Sequence, residues 1–222
     1  MNLDLSKHLE FFSPMKLVKD EIHIIGCGAV GSNIAIQLTK LGCDNFYIWD
    51  FDIVDPHNVT NQVYNQNDIG KLKVDCLEQK MKEINPMVKV TKLKKYTNQL
   101  LKGYIFTCVD SVELRHRIFT INQFNININI VIDGRIGLST GQIYCVKWNN
   151  DDDVENLIEL SNFKDNEAEI KFSACGTELN ISPTVLITIS YMISSFINVL
   201  NKQQTPKIIY IDAFTYKVKA VY

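Results

Sequence analysis

Gly26-Cys27-Gly28-Ala29-Val30-Gly31 decides the fold of this chain because of what flanks it. The apolar run Ile22-His23-Ile24-Ile25 leads in, and Ser32 to Leu41 reads as an outgoing helix. Strand, glycine turn and helix in that order make a phosphate cradle. Gly26 allows the tight turn, Gly28 lets backbone approach a phosphate, and Gly31 lets the helix pack closely on the strand. The helix N-terminus then offers unpaired N–H groups and a partial positive charge to an anion. The next strand, Phe46-Tyr47-Ile48-Trp49, ends at Asp50, where a carboxylate can accept both hydroxyls of a ribose. These features name a nucleotide and suit NAD as well as ATP, so the chemistry has to be read further along the chain.

Working outward, strands are expected near residues 21 to 26, 45 to 50, 87 to 93, 103 to 109 and 129 to 133. Helices are expected near 30 to 41, 70 to 84, 111 to 124 and 182 to 201. This alternation after a glycine turn predicts an α/β fold, a Rossmann-like, doubly wound, mainly parallel sheet. After Asp133 the rhythm changes: Gln142 to Trp148, Ile208 to Asp212 and Tyr216 to Val221 read as added antiparallel C-terminal strands. Residues 185 to 200 are apolar but interrupted by Thr188, Ser190, Ser194, Ser195 and Asn198, which favours a buried helix over a bilayer span. Between 149 and 173 the chain turns polar and acidic, and a mobile loop is expected there.

With 222 residues, 46% of them hydrophobic, the chain can bury a substantial core, and residues 1–222 read as a single domain. A formal charge of -2 with no basic cluster argues against nucleic acid. Cys27, Cys43, Cys76, Cys108, Cys145 and Cys175 are scattered, never in C-x-x-C, and no signal peptide precedes them. That pattern points to reduced thiols in a cytoplasmic protein without membrane association, and against a four-cysteine zinc site.

Beyond Asp50 the motifs depart from those of a dehydrogenase. Asp50-Phe51-Asp52-Ile53-Val54, Asn58-Val59-Thr60-Asn61-Gln62, Asp68-Ile69-Gly70-Lys71-Leu72-Lys73 and Ile84-Asn85-Pro86 follow in order, then Thr107-Cys108-Val109-Asp110-Ser111 with Arg115. In this set the chain resembles the ThiF/MoeB/HesA family, the adenylation domain of ubiquitin-activating (E1-like) enzymes. The resemblance runs over about residues 20 to 200 and continues more loosely through Gly141-Gln142-Ile143 and Cys175-Gly176. It implies ATP-dependent adenylation of a carboxylate with release of pyrophosphate. The implied acceptor is the C-terminus of a ubiquitin-like or sulfur-carrier protein, or alternatively a peptide or small carboxylic acid. A homodimer is implied too.

The chemistry explains the residue types. A carboxylate is already ionised at neutral pH, so its attack on the α-phosphorus of ATP needs no general base. It needs positive charge and in-line positioning. The resemblance implies that Gly26, Gly28 and Gly31 hold the nucleotide and Asp50 the ribose. Lys73 would reach the phosphates, Asp110 would bind Mg2+, and Asn58, Asn61 and Gln62 would wall the triphosphate. Other uses of the same residues stand beside these: Asp50 as a strand cap, Lys73 as a solvated first-turn lysine, and Asp110 as the N-cap of the helix from Val112. Arg115 is expected to be structural, and His57 a surface residue. Cys175 resembles a cysteine that bonds to the activated carrier, against the alternative of a small buried hydrophobe. Two departures stand out. Well-studied members carry arginine where this chain has Asn61, and many bacterial members have paired C-x-x-C zinc motifs that are missing here. Loss of that arginine keeps open a catalytically weakened scaffold; a NAD-dependent dehydrogenase is a distant third reading.

Overall fold

The structure, a computed structural model, describes residues 3–17, 20–162 and 180–222. Its strands are β1 (Ile22–Ile25), β2 (Asn45–Trp49), β3 (Lys89–Leu93), β4 (Gly103–Thr107), β5 (Ile128–Ile136), β6 (Thr140–Lys147), β7 (Ile208–Asp212) and β8 (Lys217–Val221). Its α-helices are α1 (Ala29–Lys40), α2 (Lys73–Ile84), α3 (Val112–Asn122), α4 (Asp151–Asn162) and α5 (Ser182–Leu200). The strands form one sheet in the order β3-β2-β1-β4-β5-β6-β7-β8. β1 to β5 run parallel, and β6, β7 and β8 are added antiparallel.

Layering explains the sequence pattern. All four residues of β1 and all five of β4 are buried, because helices cover both faces at the centre of a parallel sheet. One face packs with α1, α2 and α5 around Ile24, Phe46, Ile48 and Phe106. The other packs with α3 and α4 around Ile25, Ile105, Val131 and Trp148. α5 enters the first layer through Val185, Ile189, Met192 and Phe196, spaced to share one helical face, and its buried Thr188 hydroxyl is satisfied by the Thr184 carbonyl. At the outer edge the cover runs out, and every residue of β8 is exposed.

The chain order β3-β2-β1-β4-β5 sets β1 between β2 and β4. The connection after β1 leads to one side and that after β3 to the other. The carboxyl ends of β1 and β4 therefore flank the crevice where open α/β sheets bind ligands.

One expectation is corrected. Residues 151–162, placed within a mobile acidic loop by their composition, form α4, with Val154, Leu157 and Ser161 buried against the sheet and α3. Composition obscured the spacing: these three sit on one helical stripe, and Asp151, Asp152 and Asp153 fall in the first turn, where the helix dipole favours acids. The remainder of that expected loop, 163 to 173, lies outside the described residues.

Candidate functional site

The glycine turn divides its work among three positions. Gly26 has φ +93°, and a Cβ there would lie 2.6 Å from the Cys108 carbonyl oxygen, so the position excludes side chains by both conformation and space. A Cβ at Gly31 would lie 1.9 Å from the Gly26 carbonyl oxygen, which is the close helix-on-strand approach expected of the third glycine. Gly28 is different. Nothing lies within 4 Å of where its Cβ would be, and it stands at the N-cap of α1 with no side-chain cap and no acid in the first turn. Among the described residues, the first-turn N–H groups of α1 thus face open space without a protein anion to satisfy them.

Two side chains hold the turn in shape. The Tyr64 hydroxyl donates to the Cys27 carbonyl at 2.8 Å. Asp50 Oδ2 accepts from the Cys27 N–H at 2.7 Å, and Oδ1 accepts from the Asp52 N–H at 2.8 Å. Burial raises the Asp50 pKa, while the N–H groups of Asp52 and Cys27 and the charge of Lys73 pull the other way. The carboxylate is oriented by these bonds and each oxygen keeps a further lone pair for a hydroxyl donor. Asp50 is therefore more than a strand cap.

Lys73 opens α2 and is buried, its N–H donating to the Asp52 carbonyl at 2.9 Å and its Nζ to Asp52 Oδ2 at 2.9 Å. The solvated-lysine alternative falls. Asp52 is its ion-pair partner across twenty-one positions, and no local spacing announces such a pair. Asp110 is exposed, three positions beyond the end of β4, and makes no hydrogen bond or ion pair among the described residues. It is not the helix cap either: Ser111 Oγ accepts from the Leu114 N–H at 3.1 Å and caps α3. Among the described residues the Asp110 carboxylate is left uncommitted.

The polar wall is divided. Asn58 is buried and its Oδ1 accepts from the Asp55 N–H at 2.9 Å, so this amide shapes a 3-10 turn over residues 56–60. Asn61 donates through Nδ2 to the side-chain and main-chain oxygens of Asn180, and its carbonyl accepts from Asn33 at 3.3 Å. Gln62 Oε1 is buried with no hydrogen-bond partner among the described residues, a position that calls for a donor from a ligand or water. Cys175 lies outside the described residues. The described thiols Cys27, Cys43, Cys76, Cys108 and Cys145 are free, and burial raises all five, Cys43 and Cys145 to about 12.

Behind Asp110 sits a charged cluster that sequence reading reached only in part. Arg115 is structural, as expected: its Nε donates to Asp133 Oδ1 at 2.7 Å and its Nη2 to the Val109 carbonyl. Asp133 is fully buried and also accepts from Arg135 Nε at 2.9 Å, and the Arg135 guanidinium lies 4.6 Å from the Tyr144 ring centroid. The trio fixes the loop that carries Asp110. Arg135 and Asp133 are two apart on β5 and so share a face.

Residues 11–221 match the profile of the ThiF family. The chain belongs to the ThiF family. Among curated relatives it is 26% identical over 145 residues to the adenylyltransferase and sulfurtransferase UBA4 of Candida glabrata, covering 61% of this chain and 33% of that one. It is 26% identical over 112 residues to the ubiquitin-like modifier-activating enzyme 5 of Caenorhabditis elegans, covering 42% and 27%. The ThiF chain thus spans about a third or less of the length of these relatives. Among solved structures, E. coli MccB with ATP superposes with a TM-score of 0.70 at 16% identity, covering 93% of this chain and 64% of that one. PaaA superposes with a TM-score of 0.70 at 17% identity, covering 97% and 68%. At these identities the superpositions establish the fold.

Proposed function

We propose that this ThiF-family chain is an ATP-dependent adenylyltransferase. It joins a carboxylate to AMP as an acyl-adenylate and releases pyrophosphate. The observation that carries the reading is the uncapped N-terminus of α1 facing open space in front of Gly28, with Asp50 bonded to the same turn. The family match and the adenylyltransferase among its relatives support it.

In this reading the first-turn N–H groups of α1 hold phosphate oxygens, and Asp50 accepts the ribose hydroxyls. Lys73 turns from Asp52 toward the triphosphate, exchanging one anion for another. One carboxylate oxygen of the acceptor attacks the α-phosphorus. The bond from that phosphorus to the bridging oxygen breaks, and its electron pair leaves with pyrophosphate. The residues fit a magnesium ion: Asp110 offers an uncommitted hard oxygen donor, and one carboxylate with phosphate oxygens is ordinary magnesium coordination. Bound there, the cation would neutralise charge that develops on the leaving pyrophosphate. Asn61 supplies hydrogen bonds without charge, so the positive charge this chain itself brings to the triphosphate is that of Lys73, and a cation held by Asp110 would supply the rest.

The acceptor we propose is the C-terminus of a ubiquitin-like or sulfur-carrier protein, in keeping with the relatives UBA4 and ubiquitin-like modifier-activating enzyme 5. A peptide acceptor is the second reading, favoured by the superposition on E. coli MccB, which has been solved with MccA. A weakened scaffold is the third, favoured by Asn61. We further propose a cytoplasmic homodimer; the half-exposed apolar side of α5, with Leu186 50% exposed, supports a surface that a second copy covers. Cys175 as a covalent acceptor belongs to the same proposal. The test is ATP–pyrophosphate exchange with candidate carriers and with peptides. Acceptor-dependent return of label to ATP is expected, reduced about a hundredfold or more in Asp110→Ala and Lys73→Ala at unchanged fold. Full exchange in either variant would overturn the assignment.

A further inference from the structure

Among the described residues, the outer edge of β8 is a sheet edge with no strand paired to it. Its neighbours on β7 are set by register: Lys217 opposite Asp212, Val218 opposite Ile211, Lys219 opposite Tyr210, and Ala220 opposite Ile209. Alternation therefore gives the strand two unlike faces. Lys217 and Lys219 stand on one, beside Tyr210, which is 38% exposed. Val218 and Ala220 stand on the other, in line with the buried Ile211 and Ile209. Neither lysine has an ion-pair partner among the described residues. The next turn adds Phe214, 52% exposed, and Tyr216, 90% exposed. Such an edge offers a row of main-chain donors and acceptors to any strand that fits.

The charges choose the occupant. If a second copy paired β8 with β8 about a twofold axis, the fully overlapped register centred on Lys219 would set Lys219 against itself. The register centred on Val218 would set Lys217 against Lys219. Like charges directly opposite across strands are destabilising, whereas opposite charges stabilise. The lysines thus discourage the two self-paired registers that overlap most of the strand, leaving only a short overlap centred on Ala220, and favour a strand with acids on that face, while Val218 and Ala220 favour apolar residues on the other.

We propose that β8 accepts a ninth strand from a partner protein, an extended segment alternating acidic and apolar residues, with the acids facing Lys217 and Lys219. This stands independently of the adenylation reading. β8 lies four strand spacings from β4, roughly 19 Å. A tail of about six extended residues spans that distance, so an acceptor protein seated on β8 would reach the carboxyl edge by Asp110.

The test uses two soluble synthetic peptides, Val-Glu-Val-Glu-Val-Glu and Val-Lys-Val-Lys-Val-Lys, and amide hydrogen exchange across the full chain. The acidic peptide is expected to slow exchange at 217–221, with the basic peptide binding roughly tenfold more weakly or worse. In Lys217→Glu/Lys219→Glu the preference is expected to reverse, with a small fall in urea midpoint because Lys217→Glu sets a second carboxylate opposite Asp212. Equal protection by both peptides, protection confined to other elements, or a double variant that still prefers the acidic peptide would each overturn the proposal. ATP binding measured alongside separates this outcome from failure of the nucleotide site.

Discussion

Alanine at Gly28 and alanine at Gly31 should fail in opposite ways. At Gly31 the added methyl meets the Gly26 carbonyl oxygen at 1.9 Å and Ile24 Cγ2 at 3.0 Å. Backbone cannot retreat as a side chain tip does, so α1 must shift off β1, and a loss of about 3 kcal/mol or more is expected, at the severe end for overpacking. At Gly28 the methyl meets nothing, φ is -79°, and the loss is that of a poorer N-cap, about 1 kcal/mol. The cost there falls on the ligand. A methyl in the open space in front of the α1 N-terminus displaces phosphate from N–H donors whose charge-assisted bonds are worth about 1.5–3 kcal/mol each. ATP affinity should therefore fall about ten- to hundredfold. Urea unfolding followed by the two buried tryptophans, Trp49 and Trp148, reads the first effect, and calorimetric titration with ATP and magnesium reads the second. Gly28→Ala binding ATP as tightly as the parent would refute the phosphate cradle; Gly31→Ala of parental stability would refute the packing account.

Three further outcomes follow from other parts of the molecule. His23 is buried, its Nδ1 accepting from the Trp49 indole N–H at 3.1 Å, with Glu21 at 3.2 Å from Nε2, the Tyr47 ring stacked at 4.7 Å and Lys102 bonded to Glu21. Burial lowers its pKa against the pull of Glu21, so the native state holds a neutral ring whose protonation would break the tryptophan bond. That stability is present above about pH 6.5, the unfolded value, and is lost as pH falls through the depressed native pKa; urea midpoints from pH 7.5 to 5 should fall less in His23→Gln, and equal slopes would refute it. Asp133→Asn leaves Arg115 and Arg135 without their shared carboxylate and should cost about 3–5 kcal/mol in chemical unfolding; a loss below about 1 kcal/mol would contradict the buried bridge. Leu157→Ala should cost about 2–5 kcal/mol if α4 is packed as described, whereas a mobile loop would tolerate it without change.

The parts of the fold legible in sequence were those where local signals agree. Ile22–Ile25 and Gly103–Thr107 are apolar runs bounded by turns because both faces of central parallel strands are covered, and the glycine turn repeats that message in backbone terms. The later antiparallel strands were legible where strand follows strand directly, β5 to β6 and β7 to β8, although α4 and α5 intervene between β6 and β7. α4 was not, because its acids outnumber its apolar residues and the stripe of Val154 and Leu157 is narrow. In the site, Asp50 and Lys73 were marked by position after a strand and at a helix start, and both sit where those signals put them. The engagement of Asn58 in its own turn, the pairing of Lys73 with Asp52, and the bridge from Arg115 through Asp133 to Arg135 depend on contacts between distant segments, which no periodicity encodes.

The central claim is attack of a carboxylate oxygen on the α-phosphorus of ATP at the edge formed by Gly28, Asp50, Lys73 and Asp110. The most direct measurement labels the carboxylate of an acceptor that supports pyrophosphate exchange with oxygen-18 and captures the activated acyl group with hydroxylamine. Attack at the α-phosphorus predicts AMP carrying one labelled oxygen, since the capture step breaks the bond between carbonyl carbon and bridging oxygen. Unlabelled AMP, or label appearing in inorganic phosphate beside ADP, would contradict it.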